Sequence, residues 1–153
     1  MEKVYIAVGS NKGNRKDYII GALKHVRKRV SVTRISPFIS SRPAEGVKGG
    51  LFLNGVFEGM TKLSPQKLFE FLQHVEAEAG RNFPHPRGGA REIDLDIIFY
   101  GERVIASKKL VIPHPGYRKR DFVLTPLCEI APCLKDPVTG ERMIDLKKKW
   151  RKA

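Results

Sequence analysis

Residues 88–101 read GGAREIDLDIIFYG, a run that sets two aspartates, Asp94 and Asp96, among Ile, Leu, Phe and Tyr residues that otherwise have the makings of a buried strand. In an extended chain alternate side chains share a face. Strict alternation puts Ile93, Leu95, Ile97 and Phe99 on one side and Asp94, Asp96, Ile98 and Tyr100 on the other. The first face is wholly apolar. The second begins with two carboxylates roughly 7 Å apart along the strand and then becomes apolar. Like charges beside a core repel and lose hydration, which costs about several kcal/mol unless cations or strong donors compensate.

Two arrangements supply that compensation. The aspartates can form structural salt bridges with the chain's many arginines. Alternatively they can bind Mg²⁺, a hard cation that takes carboxylate oxygens and keeps water and substrate phosphates as its remaining ligands. Two acidic residues on one strand can hold two such ions roughly 4 Å apart against a polyphosphate. A D-x-D pair alone is unspecific, since nucleases, nucleotidyltransferases and glycosyltransferases carry it too. Here Arg81, Arg87 and Arg91 precede the pair and Lys109, His114, Arg118 and Arg120 follow it, so phosphate-seeking groups bracket the carboxylates. Arginine's planar fork suits phosphate oxygens particularly well.

Working outward, residues 4–8 (VYIAV) have the pattern of a strand that ends in the turn Gly9-Ser10-Asn11. From about 14 to 30, Ile19, Leu23, Val26 and Val30 recur at helical spacing, with Lys and Arg gathered in the last turns. Residues 32–40 return to an extended pattern that Pro37 interrupts, the mark of an edge or bulged strand. A glycine-rich loop at 45–50 leads to a further strand over 51–62. Ser64-Pro65 then caps a helix whose face is Leu68, Phe69, Leu72, Val75 and Ala79 and which Gly80 stops. A second loop, NFPHPRGGA, returns the chain to the aspartate strand.

Strand, helix, strand, strand, helix, strand is the order of the ferredoxin-like split β-α-β unit. The expectation is therefore an α+β fold, a βαββαβ core in an αβα layered sandwich. The last third is a C-terminal extension with Val104-Ile105, the turn IPHPGY, a helix in DFVLTPLCEI and the basic tail KKKWRKA. At 153 residues the chain is sized for one core, so residues 1–153 are expected to form a single domain. No apolar run nears the ~20 residues of a membrane span, and the start has no secretory pattern, so the expected location is cytoplasmic. Cys128 and Cys133 match neither a zinc nor a redox spacing. The net charge of +13 attracts polyanions without saying whether they are nucleic acid or phosphate esters.

The motifs taken together resemble the 6-hydroxymethyl-7,8-dihydropterin pyrophosphokinase family. The segment Arg91-Glu92-Ile93-Asp94-Leu95-Asp96-Ile97-Ile98 is similar to its signature, and VYIAVGSN at 4–11, FLN at 52–54, GR at 80–81 and VIPHP at 111–115 follow in the family's order. Lys109 stands where many members have arginine, and Phe52 where many have tyrosine.

The resemblance implies pyrophosphate transfer from ATP to the hydroxymethyl group of the pterin, with release of AMP. It also implies two Mg²⁺ ions on Asp94 and Asp96, and catalytic roles for Arg81, Arg91, Asp94 and Asp96. Gln73, Glu76, Arg81, Arg91, Ile97, Lys109, His114 and Arg120 are implied to face ATP. Ser41, Pro43, Ala44, Phe52, Asn54 and Phe122 are implied to form the pterin pocket.

Flat apolar surfaces at Phe52 and Phe122 suit a stacked ring, and an amide at Asn54 suits the ring's amide edge. Their alternative is plain core packing. Gln73 and Glu76 lie three apart on one helix flank, as ligand contacts or as solvated surface. The loops at 45–50 and 84–90 suit a site that closes over nucleotide. The expected partners are ATP and the pterin, with no nucleic acid and no membrane, for a monomer.

The rival function is a basic nucleic-acid-binding protein of ferredoxin-like fold. It draws on the charge and on Lys147-Lys148-Lys149-Trp150-Arg151-Lys152. Against it, no strand with interleaved aromatics of the RNA-binding type occurs, and it gives Asp94 and Asp96 no task.

Overall fold

In the computed structural model, which describes residues 1–42, 50–79 and 92–152, the core elements follow the expected βαββαβ order. They are β1 (Glu2–Ser10), α1 (Arg15–Val26), β2 (Val30–Ile35), β3 (Ile39–Ser41), β4 (Phe52–Thr61), α2 (Pro65–Ala79) and β5 (Asp94–Tyr100). The sheet is antiparallel in the order β2-β4-β1-β5, with β3 continuing along β4 beyond β2.

Local chemistry sets the boundaries. The Asn14 side chain accepts the Asp17 N–H at 3.2 Å and starts α1. Ser64 does the same for Lys67 at 3.2 Å, with Pro65 in the first turn of α2. Helix α1 stops at Val26 instead of continuing to residue 30, because Val30 serves the core equally well as the buried first residue of β2. The extended segment around Pro37 breaks in two. Strand β2 pairs with β4 through a register shift between Val32 and Arg34, and β3 resumes after the Ser36-Pro37-Phe38 corner.

Each face of the sheet has its own core. Val4, Ile6, Val8, Leu95 and Ile97 pack under α1 and α2, against Ile19, Val26, Leu68, Leu72 and Val75. Tyr5, Val56, Ile98 and Phe99 pack on the opposite side under α3 (Asp121–Ile130) and α4 (Met143–Lys152). The result is the αβα sandwich.

Strict alternation along β5 fails after Ile97, a correction to the face assignment of Phe99 and Tyr100. Ile6 pairs with Ile97 and Tyr5 with Phe99, which leaves Ile98 as an extra residue in a bulge. Phe99 therefore joins Ile98 on the α3 side, and Tyr100 joins Ile97 under α1 and α2. The Ile98 carbonyl accepts the His114 N–H at 3.0 Å. That bond docks the turn following the small hairpin of β6 (Ile105–Ala106) and β7 (Val111–Ile112) against β5.

The basic tail is the end of α4, where Met143 and Leu146 are buried, Lys149 pairs with Glu141, and the Trp150 indole donates to the Arg118 carbonyl at 2.6 Å. Beneath it, buried Asp136 accepts from Tyr117 Oη, Arg118 Nη2 and the N–H groups of Val138 and Thr139. Burial alone raises the Asp136 pKa, but those hydrogen bonds outweigh it and hold the carboxyl below its usual value.

A depressed native pKa contributes stability above the unfolded value of about 4 that fades as pH falls through the native value. Asp136→Asn is expected to lose about 2 kcal/mol at pH 7. The deficit against wild type is expected to shrink as the pH is lowered below about 4. Urea unfolding of both proteins across that range checks this.

Candidate active site

The pocket face of the sheet has a floor of small residues. In register across the strands, Ile39 of β3 pairs with Asn54 of β4, Asn54 with Gly9 of β1, and Gly9 with Asp94 of β5. One step along, Ala7 lies opposite Asp96. A side chain at Gly9 would place its Cβ 3.1 Å from Asn54 Oδ1 and 3.4 Å from the Phe52 ring. Glycine and alanine thus leave a trough between the amide and the carboxylates, about 10 Å long at two interstrand spacings.

Above this floor lies a cavity of about 590 Å³, bordered by Ser41, Phe52, Asn54, Asp94, Asp96, Arg120 and Phe122 among others. Phe122 reaches it from the first turn of α3, and the Arg120 guanidinium lies 5.9 Å from the Phe122 ring centre. Asn54 is 5% exposed, and its Nδ2 donates to Ser41 Oγ at 2.7 Å and to the Ile39 carbonyl at 3.3 Å.

The Asp96 side chain is 48% exposed and Asp96 Oδ2 lies 4.0 Å from His114 Nε2. His114 Nδ1 accepts the Gly116 N–H at 3.1 Å, so the neutral ring carries its proton on Nε2, toward the carboxylate. Burial holds the His114 pKa below its ordinary value, against the pull of Asp96 and with a push from Arg120. Among the described residues no guanidinium pairs with Asp96, and no group of three or more His, Cys, Asp or Glu offers a complete metal cage. Two half-exposed carboxylates on one strand face fit Mg²⁺ whose other ligands come from water and a polyphosphate.

The remaining expected residues are placed as follows. Gln73 is exposed on α2. Glu76 accepts the Leu95 N–H at 2.8 Å, a bond to the open edge of β5 between the two aspartates. The Ile97 side chain is 5% exposed on the far face, inside the α1–α2 core, so its backbone alone is available to a ligand from the cavity side. Lys109 is exposed in the β6–β7 hairpin. Arg81, Arg91, Pro43 and Ala44, and the loops at 45–49 and 84–90, lie outside the described residues. Residues not singled out by the sequence but bordering the cavity include Gly9, Arg42, Gly55 and Ile98. Gly9 had a signal, the tight GSN turn after an apolar strand. Arg42 had none beyond its place beside Ser41.

A sequence model of the family described as 7,8-dihydro-6-hydroxymethylpterin-pyrophosphokinase matches residues 5–132. The chain is 37% identical over 147 residues to the 2-amino-4-hydroxy-6-hydroxymethyldihydropteridine pyrophosphokinase of Aquifex aeolicus, with 96% of this chain and 91% of that protein covered. It is 42% identical over 140 residues to the folic acid synthesis protein fol1 of Pneumocystis carinii, covering 91% of this chain but 19% of the longer relative. Among solved structures, a triple mutant of Plasmodium falciparum HPPK-DHPS superposes with a TM-score of 0.80 at 14% identity, over 97% of this chain and 44% of that one. At that identity the likeness concerns the fold.

If the trough must stay open, Gly9→Val fills it from the floor. The variant is expected to weaken binding of a pterin about 10-fold or more. Titration of ring fluorescence in the presence of Mg²⁺ and nucleotide measures the loss, and circular dichroism checks that the sheet is retained.

Proposed function

The chain belongs to the 7,8-dihydro-6-hydroxymethylpterin-pyrophosphokinase family, and on that premise we propose that it transfers the pyrophosphoryl group of ATP to the hydroxymethyl group of 6-hydroxymethyl-7,8-dihydropterin, releasing AMP, as a step of folate biosynthesis. The observation that carries this reading is one cavity in which a slot bordered by Phe52, Phe122 and Asn54 opens directly onto Asp94 and Asp96.

The alcohol attacks the β-phosphorus in line, so no covalent enzyme intermediate is required and the protein's task is placement and charge balance. Phe52 and Phe122 stack the acceptor ring, with Asn54 and Ser41 at its amide edge. The small floor at Gly9 and Ala7 lets the ring lie flat with its hydroxymethyl group toward β5. Asp94 and Asp96 would hold two Mg²⁺ ions, which when bound would supply positive charge to the phosphate oxygens. His114 donates from Nε2 and Arg120 from its guanidinium to phosphate oxygens, and Lys109 adds charge at the rim. Gln73 and the backbone of Ile97 lie toward the nucleotide. Glu76 acts by holding the β5 edge straight between the aspartates. Arg81 and Arg91, with Pro43 and Ala44, complete the nucleotide and pterin contacts.

The match to nine-tenths of the Aquifex protein supports residues 1–153 as a single functional domain, and our proposal takes it to work as a monomer in the cytoplasm. No helix among the described residues is long and apolar enough to cross a membrane. The nucleic-acid alternative is disfavoured by the tail, a helix end packed on the fold whose Lys149 is paired.

An assay for AMP is expected to show formation that requires both Mg²⁺ and the hydroxymethyldihydropterin, and AMP formed without the pterin counts against the reading. Asp96→Ala is expected to abolish turnover and weaken Mg·ATP binding. Arg91→Ala is expected to cost about 10²-fold or more in turnover, the loss typical of one transition-state donor. Full activity in either variant removes that residue from the mechanism.

A further inference from the structure

The ring's amide edge presents N–H donors beside a carbonyl acceptor, so its pocket must supply an acceptor and a donor. Asn54 alone does not supply both. Its two N–H bonds are directed to Ser41 Oγ and the Ile39 carbonyl, and only an N–H can face that carbonyl, so the orientation of the amide is fixed. Oδ1 remains above the bare Gly9 as the acceptor. A donor for the ring carbonyl has to come from elsewhere.

Arg42 borders the same cavity directly after Ser41, where β3 ends and the strand pleat no longer dictates its direction. Among the described residues none hydrogen-bonds or ion-pairs with it. It lies near β3, three interstrand spacings or about 14 Å from the aspartates across the sheet. That backbone separation sets Arg42 at the side of the cavity opposite β5, where the phosphates would gather, and so on the side of the acceptor ring's far end.

Resting on the proposed pterin substrate, we infer that Arg42 is a specificity-determining residue that donates to the 4-carbonyl oxygen of the acceptor ring. The 4-oxygen and the neighbouring N5 of a dihydropterin form an acceptor pair set like O6 and N7 of guanine, the commonest target of an arginine fork. Among the described residues, the Ser41 hydroxyl is another donor near that edge. It is neutral and offers one bond, whereas the fork offers two parallel ones with a full charge behind them.

A site built around a donor rejects a ring whose own donor occupies the carbonyl position. The full chain, with Mg²⁺ and a non-hydrolysable ATP analogue, is titrated with 6-hydroxymethyl-7,8-dihydropterin and with its 4-amino counterpart, as wild type, Arg42→Ala and Arg42→Lys. Arg42→Ala is expected to bind the 4-oxo ring about 10- to 100-fold more weakly, the range for one charge-assisted hydrogen bond. It is also expected to lose most of the preference for 4-oxo over 4-amino, while nucleotide affinity stays at the wild-type value. Arg42→Lys keeps the charge without the fork and is expected to fall between the two.

Unchanged 4-oxo affinity, an equal loss for both rings, or a loss in nucleotide affinity instead each overturns the assignment. Wild-type AMP formation separates the two levels of the argument. An inactive wild type defeats the proposed function, whereas an active one with an indifferent Arg42→Ala defeats the role of Arg42 alone.

Discussion

The two-residue pleat of β5 is the constraint on which the rest of this molecule turns. As long as it holds, from Asp94 to Ile97, carboxylates and aliphatic side chains are sorted onto opposite faces without either compromising the other. Leu95 and Ile97 anchor the strand in the α1–α2 core, and that anchoring keeps two like charges side by side at the mouth of a cavity. Among the described residues the strand is at the sheet's edge, and there the Leu95 N–H donates to the Glu76 carboxylate. That edge donor thus ties α2 to the residue between the two aspartates.

Where the pleat breaks, the chain uses the break. The bulge at Ile98 turns both Ile98 and Phe99 toward the second core, which seats α3 and with it Arg120 and Phe122. It also presents the Ile98 carbonyl to the His114 N–H, so the imidazole arrives beside Asp96 from a segment that makes no other regular pairing with the sheet. One extra residue therefore sets the position of two cavity groups, Arg120 and Phe122, and of the imidazole beside Asp96. The floor works by omission, since Gly9 and Ala7 are small where their strand partners Asn54, Asp94 and Asp96 carry the polar groups.

Much of this was readable along the chain. The order of the βαββαβ elements, the capped second helix and the irregular strand near Pro37 all follow from periodicity and turn chemistry. The gathering of Phe52, Asn54, Asp94, Asp96, Arg120 and Phe122 around one space was legible through motif order and not through their spacing in sequence, which spans some 70 residues. Glu76 illustrates the limit. Its place on a helix flank is a local fact, but its bond to Leu95 depends on how α2 lies along β5. Ile97 is the converse case, because alternation alone already put its side chain on the face away from the aspartates.

The sequence by itself determined which residues alternate, which positions start and stop helices, and that two carboxylates had to lie on one strand face. These depend on neighbours within a few residues and on the fixed geometry of the backbone. Only the tertiary structure decided the Ile98 bulge, the vacancy above Gly9, the commitment of both Asn54 N–H bonds and the entry of Arg42 into the cavity. Each of those depends on pairing between strands distant in sequence, here β1 with β5 and β3 with β4, whose register no local pattern specifies.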